Sequence, residues 1–240
     1  MRKTIGLVCA AAVLASVTPA RGAAQDAEDV AAYLAMVFTP IGALPPMVTP
    51  PMAGSAQTRN RINARYGRIS FNDAVAFNNL GVGIDFDRDG GSWGLVLGYM
   101  FDDCEGDCDG VVMFGADLEG VLASSQIGQS PSTRFNMGWR GDVGISRSDD
   151  LTSLTGVIGV PLSVSAQSGS LRIVPFFTPA FGFGRLSDDN DSESGVRFLL
   201  GGGLGVMSST GLVLNIGFQK VFIDEGDTQV GLGVAWNLGS

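Results

Sequence analysis

The stretch FDDCEGDCDG, residues 101–110, concentrates side chains that could do chemistry. Its carboxylates are Asp102, Asp103, Glu105, Asp107 and Asp109. Calcium takes six to eight oxygen ligands, so a calcium site is one interpretation of this run. The acidic residues are packed more closely than in the twelve-residue frame of an EF-hand loop. We therefore predict a solvated loop tip, with weak calcium binding as the alternative and no other cofactor.

The same stretch holds Cys104 and Cys108. A redox pair needs an environment that stabilises the thiolate, and neighbouring carboxylates do the opposite. In an exported protein, two nearby cysteines are expected to oxidise to a disulfide. We predict that this disulfide pins the loop tip.

Histidine is absent from the 240 residues. This removes the commonest general base and metal ligand, and with it Ser-His-Asp catalysis and most zinc sites. An acid-only site is the remaining catalytic alternative, built from Asp188, Asp189, Asp191 and Glu193. The glycine cluster at 201–205 lacks the Lys-Ser/Thr ending of a phosphate-binding loop. We predict a protein that is not an enzyme.

The first residues have the composition of an export signal. Arg2 and Lys3 precede an uncharged apolar run, residues 5–17, and small residues follow it. We predict a signal peptide over residues 1–24, cleaved on export. Its removal takes basic residues from a chain whose formal net charge is already -9. An exported chain this acidic is not expected to bind nucleic acid.

Residues 25–59 separate the signal from the patterned part of the chain. Acidic residues followed by Ala, Leu, Met and aromatic residues predict a short helix over 26–39. Paired prolines then argue against regular structure over 39–57, so we predict a linker or a packed extended segment there.

From about residue 60, large apolar residues alternate with small or polar ones, which is typical of β-strands. The pattern is clearest in TQVGLGVAWNL at 228–238. Nine clear strands are predicted, near 79–87, 92–101, 110–120, 133–146, 153–164, 171–184, 194–207, 211–222 and 228–238. Residues 61–71 are a weaker candidate. Including it gives ten strands, and eight is the alternative, with the region before Ser92 forming something else.

Most of these segments reach the 9–11 residues that a tilted membrane-crossing strand requires. A barrel of this size is too narrow to hold the large apolar face, so we predict that this face contacts lipid. The small and polar face then lines the lumen with charged residues that could pair across the barrel. They are Arg134, Arg140, Asp142, Arg172, Arg197, Asp117 and Glu119, together with Asp85.

The connections between strands sort by charge. In an up-and-down meander, alternate connections lie at the same end. Four of one set are strongly acidic, at 101–110, 146–151, 185–195 and 223–228. The other set, VLASSQIGQSPST, AQSGS and SST, has no acidic residue, and only the tight turn DRDGG breaks the pattern. With both termini periplasmic, the acidic connections are extracellular, and an even strand count is required.

The signal and strands such as GLVLNIGFQKVF, residues 211–222, resemble the small outer-membrane β-barrels of the OmpA/OmpX-like superfamily. The resemblance covers residues 60–240. It implies an all-β, up-and-down antiparallel transmembrane barrel in the outer membrane of a diderm bacterium. The partners expected are membrane lipid and lipopolysaccharide, with divalent ions bridging the acidic rim to phosphates, and the chain is expected to be a monomer. The expected role is structural or surface-interacting; the alternatives are a narrow channel and a soluble periplasmic binding protein.

Overall fold

The computed structural model describes residues 33–44, 46–53, 60–71, 75–88, 91–102, 110–128, 132–148, 151–188, 191–222 and 228–238. Nearly all of them lie in antiparallel strands. These are β1 (Arg61–Phe71), β2 (Val75–Arg88), β3 (Gly91–Asp102), β4 (Val111–Gln126), β5 (Thr133–Ser148), β6 (Leu151–Gly159), β7 (Leu162–Ser168), β8 (Leu171–Ser187), β9 (Ser192–Ser208), β10 (Leu212–Val221) and β11 (Thr228–Asn237).

The sheet closes on itself. Consecutive strands pair along the chain, and β1 pairs with β11, from Arg61 opposite Asn237 to Arg68 opposite Val230. β6 and β7 both lie between β5 and β8, so they are two parts of one barrel position. The result is a closed ten-stranded barrel, which confirms the count that includes residues 61–71 and excludes the eight-stranded alternative.

Proline explains the interruption between β6 and β7. Pro161 has no amide hydrogen and cannot donate to the ladder. The neighbouring strands bridge the gap instead: the amide of Gly138 donates to the Pro161 carbonyl at 2.8 Å, and that of Val160 to the Pro179 carbonyl at 3.0 Å. Closure of the barrel therefore survives the break.

The connection between β4 and β5 is shorter than the sequence suggested. β4 continues through Gln126, after a shift of register between Val121 and Ala123. Such a bulge reverses the order of inward and outward residues and hides the alternation. The predicted thirteen-residue connection is thus wrong, because its first six residues, VLASSQ, belong to β4 and Thr133 begins β5.

The large apolar face lies outside, as predicted. Ile158 is 76% and Phe181 64% exposed, and each of the ten strand positions in the barrel carries exposed large apolar residues. In water a surface this apolar would be unstable, whereas lipid is its natural solvent.

Outward-facing aromatic residues gather towards both ends of the strands. Phe86 stacks on Trp93 with ring centroids 4.3 Å apart at one end, while Phe181, Phe198 and Phe222 form a contiguous group at the other. Trp93 and Phe101 are eight residues apart on β3. At a typical strand rise and tilt this spans about 20 Å along the barrel axis. Two such belts are typical of membrane barrels.

The two ends of the barrel differ in their connections. Strand direction places the β3–β4, β5–β6, β8–β9 and β10–β11 connections together at one end, here called the acidic end. β1 begins and β11 finishes at the opposite end. The charge sorting predicted from the sequence therefore corresponds to the two ends of one barrel.

The segment before β1 is folded. Residues 33–37 are helical, and short helical turns follow at Pro40–Ala43 and Pro50–Ala53. Each turn begins with proline, which is tolerated there because the first amides of a helix have no intrahelical partner. The prolines that argued against regular structure thus start these two turns. Among the described residues, no helix is long and apolar enough to span a bilayer.

Candidate functional site: a plugged lumen

The segment 33–53 runs through the inside of the barrel. Leu34 packs near Leu186 at the acidic end of β8, and the ring of Phe38 meets that of Phe77 at a centroid distance of 6.0 Å. At the opposite end, the Ala53 carbonyl accepts a hydrogen bond from Nη1 of Arg172 at 3.3 Å. We call the described residues 33–44 and 46–53 the lumen plug.

The sequence predicted a helix over 26–39 and then a linker or a packed extended segment over 39–57, without a position inside the barrel. The segment before β1 was expected at the end of the barrel where β1 starts. Tyr33 lies instead in the half of the lumen nearest the acidic end, away from the start of β1. The strand count remains even. The plug adds one further crossing through the middle of the barrel.

The plug fits because glycine leaves space on the lumen face. A Cβ at Gly81 would collide with Leu44, one at Gly205 with Val48, and one at Gly233 with Met47. These glycines lie on β2, β9 and β11, so the missing side chains leave room for the plug on several sides of the lumen. The plug side chains that enter it are almost fully buried.

Polar side chains of the lumen hold the plug backbone. Thr155 donates to the Ala35 carbonyl at 3.0 Å, Asn215 to Pro46 at 2.8 Å, and Arg61 to Val48 at 3.1 Å. Asn136 and Ser163 both donate to the Met52 carbonyl. A buried carbonyl without a partner would cost free energy, so these contacts favour one position of the plug along the axis.

A network of charges lies beside the plug in the half of the lumen away from the acidic end. Nε of Arg140 lies 2.7 Å from one oxygen of Asp142 and 3.8 Å from one of Glu119. Arg61 lies 3.5 Å from Asp85 and 3.8 Å from Asp87. The Arg61 side chain is 1% exposed. Arg61 also donates a hydrogen bond to the Val48 carbonyl, so this buried side chain connects the charge network to the plug.

Strand register explains why these residues meet. Asp85 lies opposite Gly94, Gly94 opposite Asp117, and Asp117 opposite Asp142. The next lumen-facing row runs from Asp87 through Ser92 and Glu119 to Arg140. Gly94 matters because a Cβ there would lie 2.8 Å from oxygens of both Asp85 and Asp117. Two rows on four strands thus concentrate charge in one region of the lumen.

The predicted lumen residues fall into two groups. The structure brings Arg140, Asp142, Asp117, Glu119 and Asp85 together in the network. Three others lie elsewhere: Arg172 at the end of the plug, Arg197 on the lumen side of β9 towards the acidic end, and Arg134 exposed near the start of β5. Pairing of all the lumen arginines in one network is therefore not what the structure has.

Four network residues were missed from the sequence: Arg61, Asn63, Arg65 and Asp87. Asn63 donates to both oxygens of Asp85 at 3.2 Å and accepts from Nε of Arg65 at 3.0 Å. β1 has isoleucine on both faces, with Ile62 outside and Ile69 inside, so its alternation did not show which face is which. The acidic residues on strands that pair with each other were the feature of the sequence from which this network could have been predicted.

Most residues of the predicted calcium and disulfide loop lie outside the part of the chain that the structure describes. Asp103, Glu105, Asp107, Asp109, Cys104 and Cys108 lie there, and of Asp102 only the backbone position at the end of β3 is described. Asp189 also lies outside. Asp188 accepts a hydrogen bond from the backbone amide of Asp191 at 2.7 Å, as in an ordinary loop turn. Within the described residues, no group of three or more acidic or cysteine side chains is placed to hold a metal ion.

No protein-family model matches the sequence, and no curated protein matches it. Among solved structures, the β domain of the Bordetella autotransporter BrkA is 12% identical, with a TM-score of 0.48 over 75% of this chain and 99% of that one. The β-barrel domain of Pseudomonas aeruginosa OprF is 13% identical, with a TM-score of 0.33 over 77% and 100%.

A third structure, the outer-membrane enzyme PagL, is 11% identical, with a TM-score of 0.37 over 72% of this chain and 98% of that one. The closed ten-stranded meander with its apolar exterior decides the architecture. The fold is a closed, up-and-down antiparallel β-barrel of ten strands. Identities of this size describe fold alone, so substrates and partners of those proteins do not transfer.

Proposed function

We propose that this protein is a non-enzymatic outer-membrane β-barrel, closed by its own N-terminal segment, with a structural or surface-interacting role. The observation that carries the proposal is the combination of an apolar exterior with a filled lumen. A soluble binding barrel would need its apolar residues inside and an accessible cavity for a ligand. Here the face richest in large apolar residues is outside, and the plug occupies the interior.

The plug also favours a closed barrel over a narrow channel. Nearly all of the plug side chains that the structure describes are buried along the axis, and plug carbonyls accept hydrogen bonds from the wall at several heights. Water and ions would have to displace these contacts to pass. We assign the lumen network to holding the barrel and plug together, because two of its arginines, Arg61 and Arg140, contact buried partners.

The acidic connections belong to the same proposal. We assign them to the extracellular side, with Cys104 and Cys108 joined as a disulfide in an exported chain whose signal has been removed. Asp102, Asp103, Glu105, Asp107 and Asp109 would then offer oxygen ligands to divalent ions shared with surface phosphates. Surface contact at this end is the role that the charge sorting supports.

Cell fractionation tests the membrane assignment. We expect the mature protein in the outer-membrane fraction, with a mobility on denaturing gels that changes when the sample is boiled, because a closed barrel resists detergent unfolding. Extraction with alkaline carbonate should leave it in the pellet, whereas a peripheral protein would be released. Recovery in the soluble periplasmic fraction without a heat-dependent shift would reject the proposal.

A further inference from the structure

Basic side chains lie on both faces of the described barrel wall, whereas its carboxylates lie on one. The outward-facing charged side chains on the described strands are all basic: Arg68, Arg88, Arg147, Arg185 and Lys220. The wall carboxylates Asp85, Asp87, Asp117, Glu119 and Asp142 all face the lumen. In a chain with 24 acidic and 15 basic residues, this sorting runs against the composition.

Cross-strand pairing fixes the outward orientation of the cations. Arg68 lies opposite Val230 and Arg147 opposite Val112, and both valines are on the exposed apolar face. Lys220 lies opposite Leu200 and Thr228, which share that face. Arg185 lies opposite Ser194, next to the outward-facing Phe183 on its own strand.

Four of the five cations lie at the same height. Arg68, Arg147, Arg185 and Lys220 are all within three residues of the end of their strand, and in each case it is the acidic end. They come from β1, β5, β8 and β10, so they are distributed around the barrel. Only Arg88 lies at the opposite end among the described outward-facing cations.

These cations lie at the edge of the aromatic belt. The ammonium group of Lys220 is 5.7 Å from the centre of the Phe222 ring. Nη2 of Arg185 lies 3.2 Å from the hydroxyl of Ser192, beyond the outward-facing Phe181 and Phe183. Aromatic rings mark the boundary between hydrocarbon and headgroups, and long basic side chains beside them reach into the headgroup layer.

Phosphate is the anion found at that depth, and a guanidinium group binds it through two parallel hydrogen bonds. The acidic connections just beyond the strands would repel lipid phosphates unless cations lay between the two. We propose that Arg68, Arg147, Arg185 and Lys220 form a cationic collar that binds the phosphate groups of membrane lipids in the leaflet at the acidic end. This inference rests on the proposed membrane function and adds to it a lipid class and the residues that select it.

The test measures lipid binding to the purified full-length mature barrel. The barrel in neutral detergent is titrated with a bisphosphorylated glycolipid, with phosphatidylcholine and with inorganic phosphate, and bound lipid is read by native mass spectrometry. We expect preferential retention of the bisphosphorylated lipid. Each cation near a charged lipid surface contributes about 1 kcal/mol, so each of R68Q, R147Q, R185Q and K220Q should weaken binding about fivefold at its own site.

R88Q is the matched control, since Arg88 also faces outward but lies at the opposite end. It should leave retention unchanged, and the boiled-gel shift shows that each variant is folded. Equal retention by wild type and the quadruple variant would overturn the collar, as would an equal loss in R88Q or binding of free phosphate as tight as of the lipid. A folded wild type that inserts but has no lipid preference rejects the collar alone, whereas failure of the wild type to enter bilayers rejects the membrane function and the collar with it.

Discussion

Replacement of Arg140 by methionine is expected to lower the free energy of unfolding by about 3–5 kcal/mol, the usual cost of removing one partner from a buried ion pair. The reason is that the buried carboxylates of Asp142 and Glu119 would lose their cationic partner, Arg140. Their side chains are only 1% and 2% exposed. The measurement is urea unfolding of the barrel in lipid vesicles, followed by tryptophan fluorescence.

Arg134 supplies the control on the same strand. It is exposed near the start of β5, so Arg134→Met should change stability by no more than about 0.5 kcal/mol. The triple variant R140M/E119Q/D142N removes the charges together and should recover most of the loss. Equal stability of the two methionine variants would show that the lumen network does not hold the barrel together.

Deletion of residues 33–53 is expected to convert a closed barrel into a conducting one. The glycines that accommodate Leu44, Met47 and Val48 would then face an open lumen. In planar bilayers the intact mature chain should give a flat baseline, and the deletion variant should give stepwise currents. The boiled-gel shift shows whether the shortened barrel has folded.

A second variant tests the plug without shortening the chain. L44S/M47S/V48S removes apolar contacts along the segment while leaving the wall unchanged, and it should give intermittent openings. The matched control is V82S/L95S/L97S, which makes the same kind of change on the lipid-facing side. A folded deletion variant with no current would contradict closure by the plug, and so would steady current through the intact chain.

The wall of the barrel could be predicted from the sequence because alternation reports directly on strands that have two different environments. Val230, Leu232, Val234 and Trp236 share a face in the sequence pattern, and all four are exposed to the outside in the structure. The bulge after Val121 was hidden because a shifted register destroys that alternation. β1 was ambiguous because it places isoleucine on each face.

The plug could not be predicted in the same way. The apolar segment 33–53 and the lumen glycines are each visible in the sequence, but they are separated along the chain. Their match depends on the shape of the lumen. The sequence pattern also suggested that only small residues fit inside the barrel. In the structure Phe77, Met100, Met113 and Phe176 are buried there, in apolar clusters that include plug residues. A lumen wide enough for these side chains is wide enough for the plug.

The lumen charges were predicted in part for a related reason. Parity places Asp117, Glu119, Arg140 and Asp142 on one face of adjacent strands, so their meeting follows from register. The position of Arg61 in the network could be predicted only with knowledge of barrel closure. β1 reaches the network through its pairing with β2, and Arg61 donates a hydrogen bond to a plug carbonyl. Closure and the plug are long-range features that no local pattern reports.

A cysteine cross-link between plug and wall shows whether the plug occupies the lumen. A Cβ at Gly205 would lie 2.9 Å from the Cβ of Val48, so a shift of about 1 Å would bring the two to the separation found in a disulfide. In a background with Cys104 and Cys108 replaced by serine, V48C/G205C should oxidise to a single intramolecular disulfide that alters mobility on non-reducing gels. V48C/L204C is the control, because Leu204 is the neighbouring residue but faces lipid. We expect a cross-link for the first pair and none for the second. No cross-link in the folded V48C/G205C barrel, or equal cross-linking of both pairs, would show that the plug does not lie in the lumen.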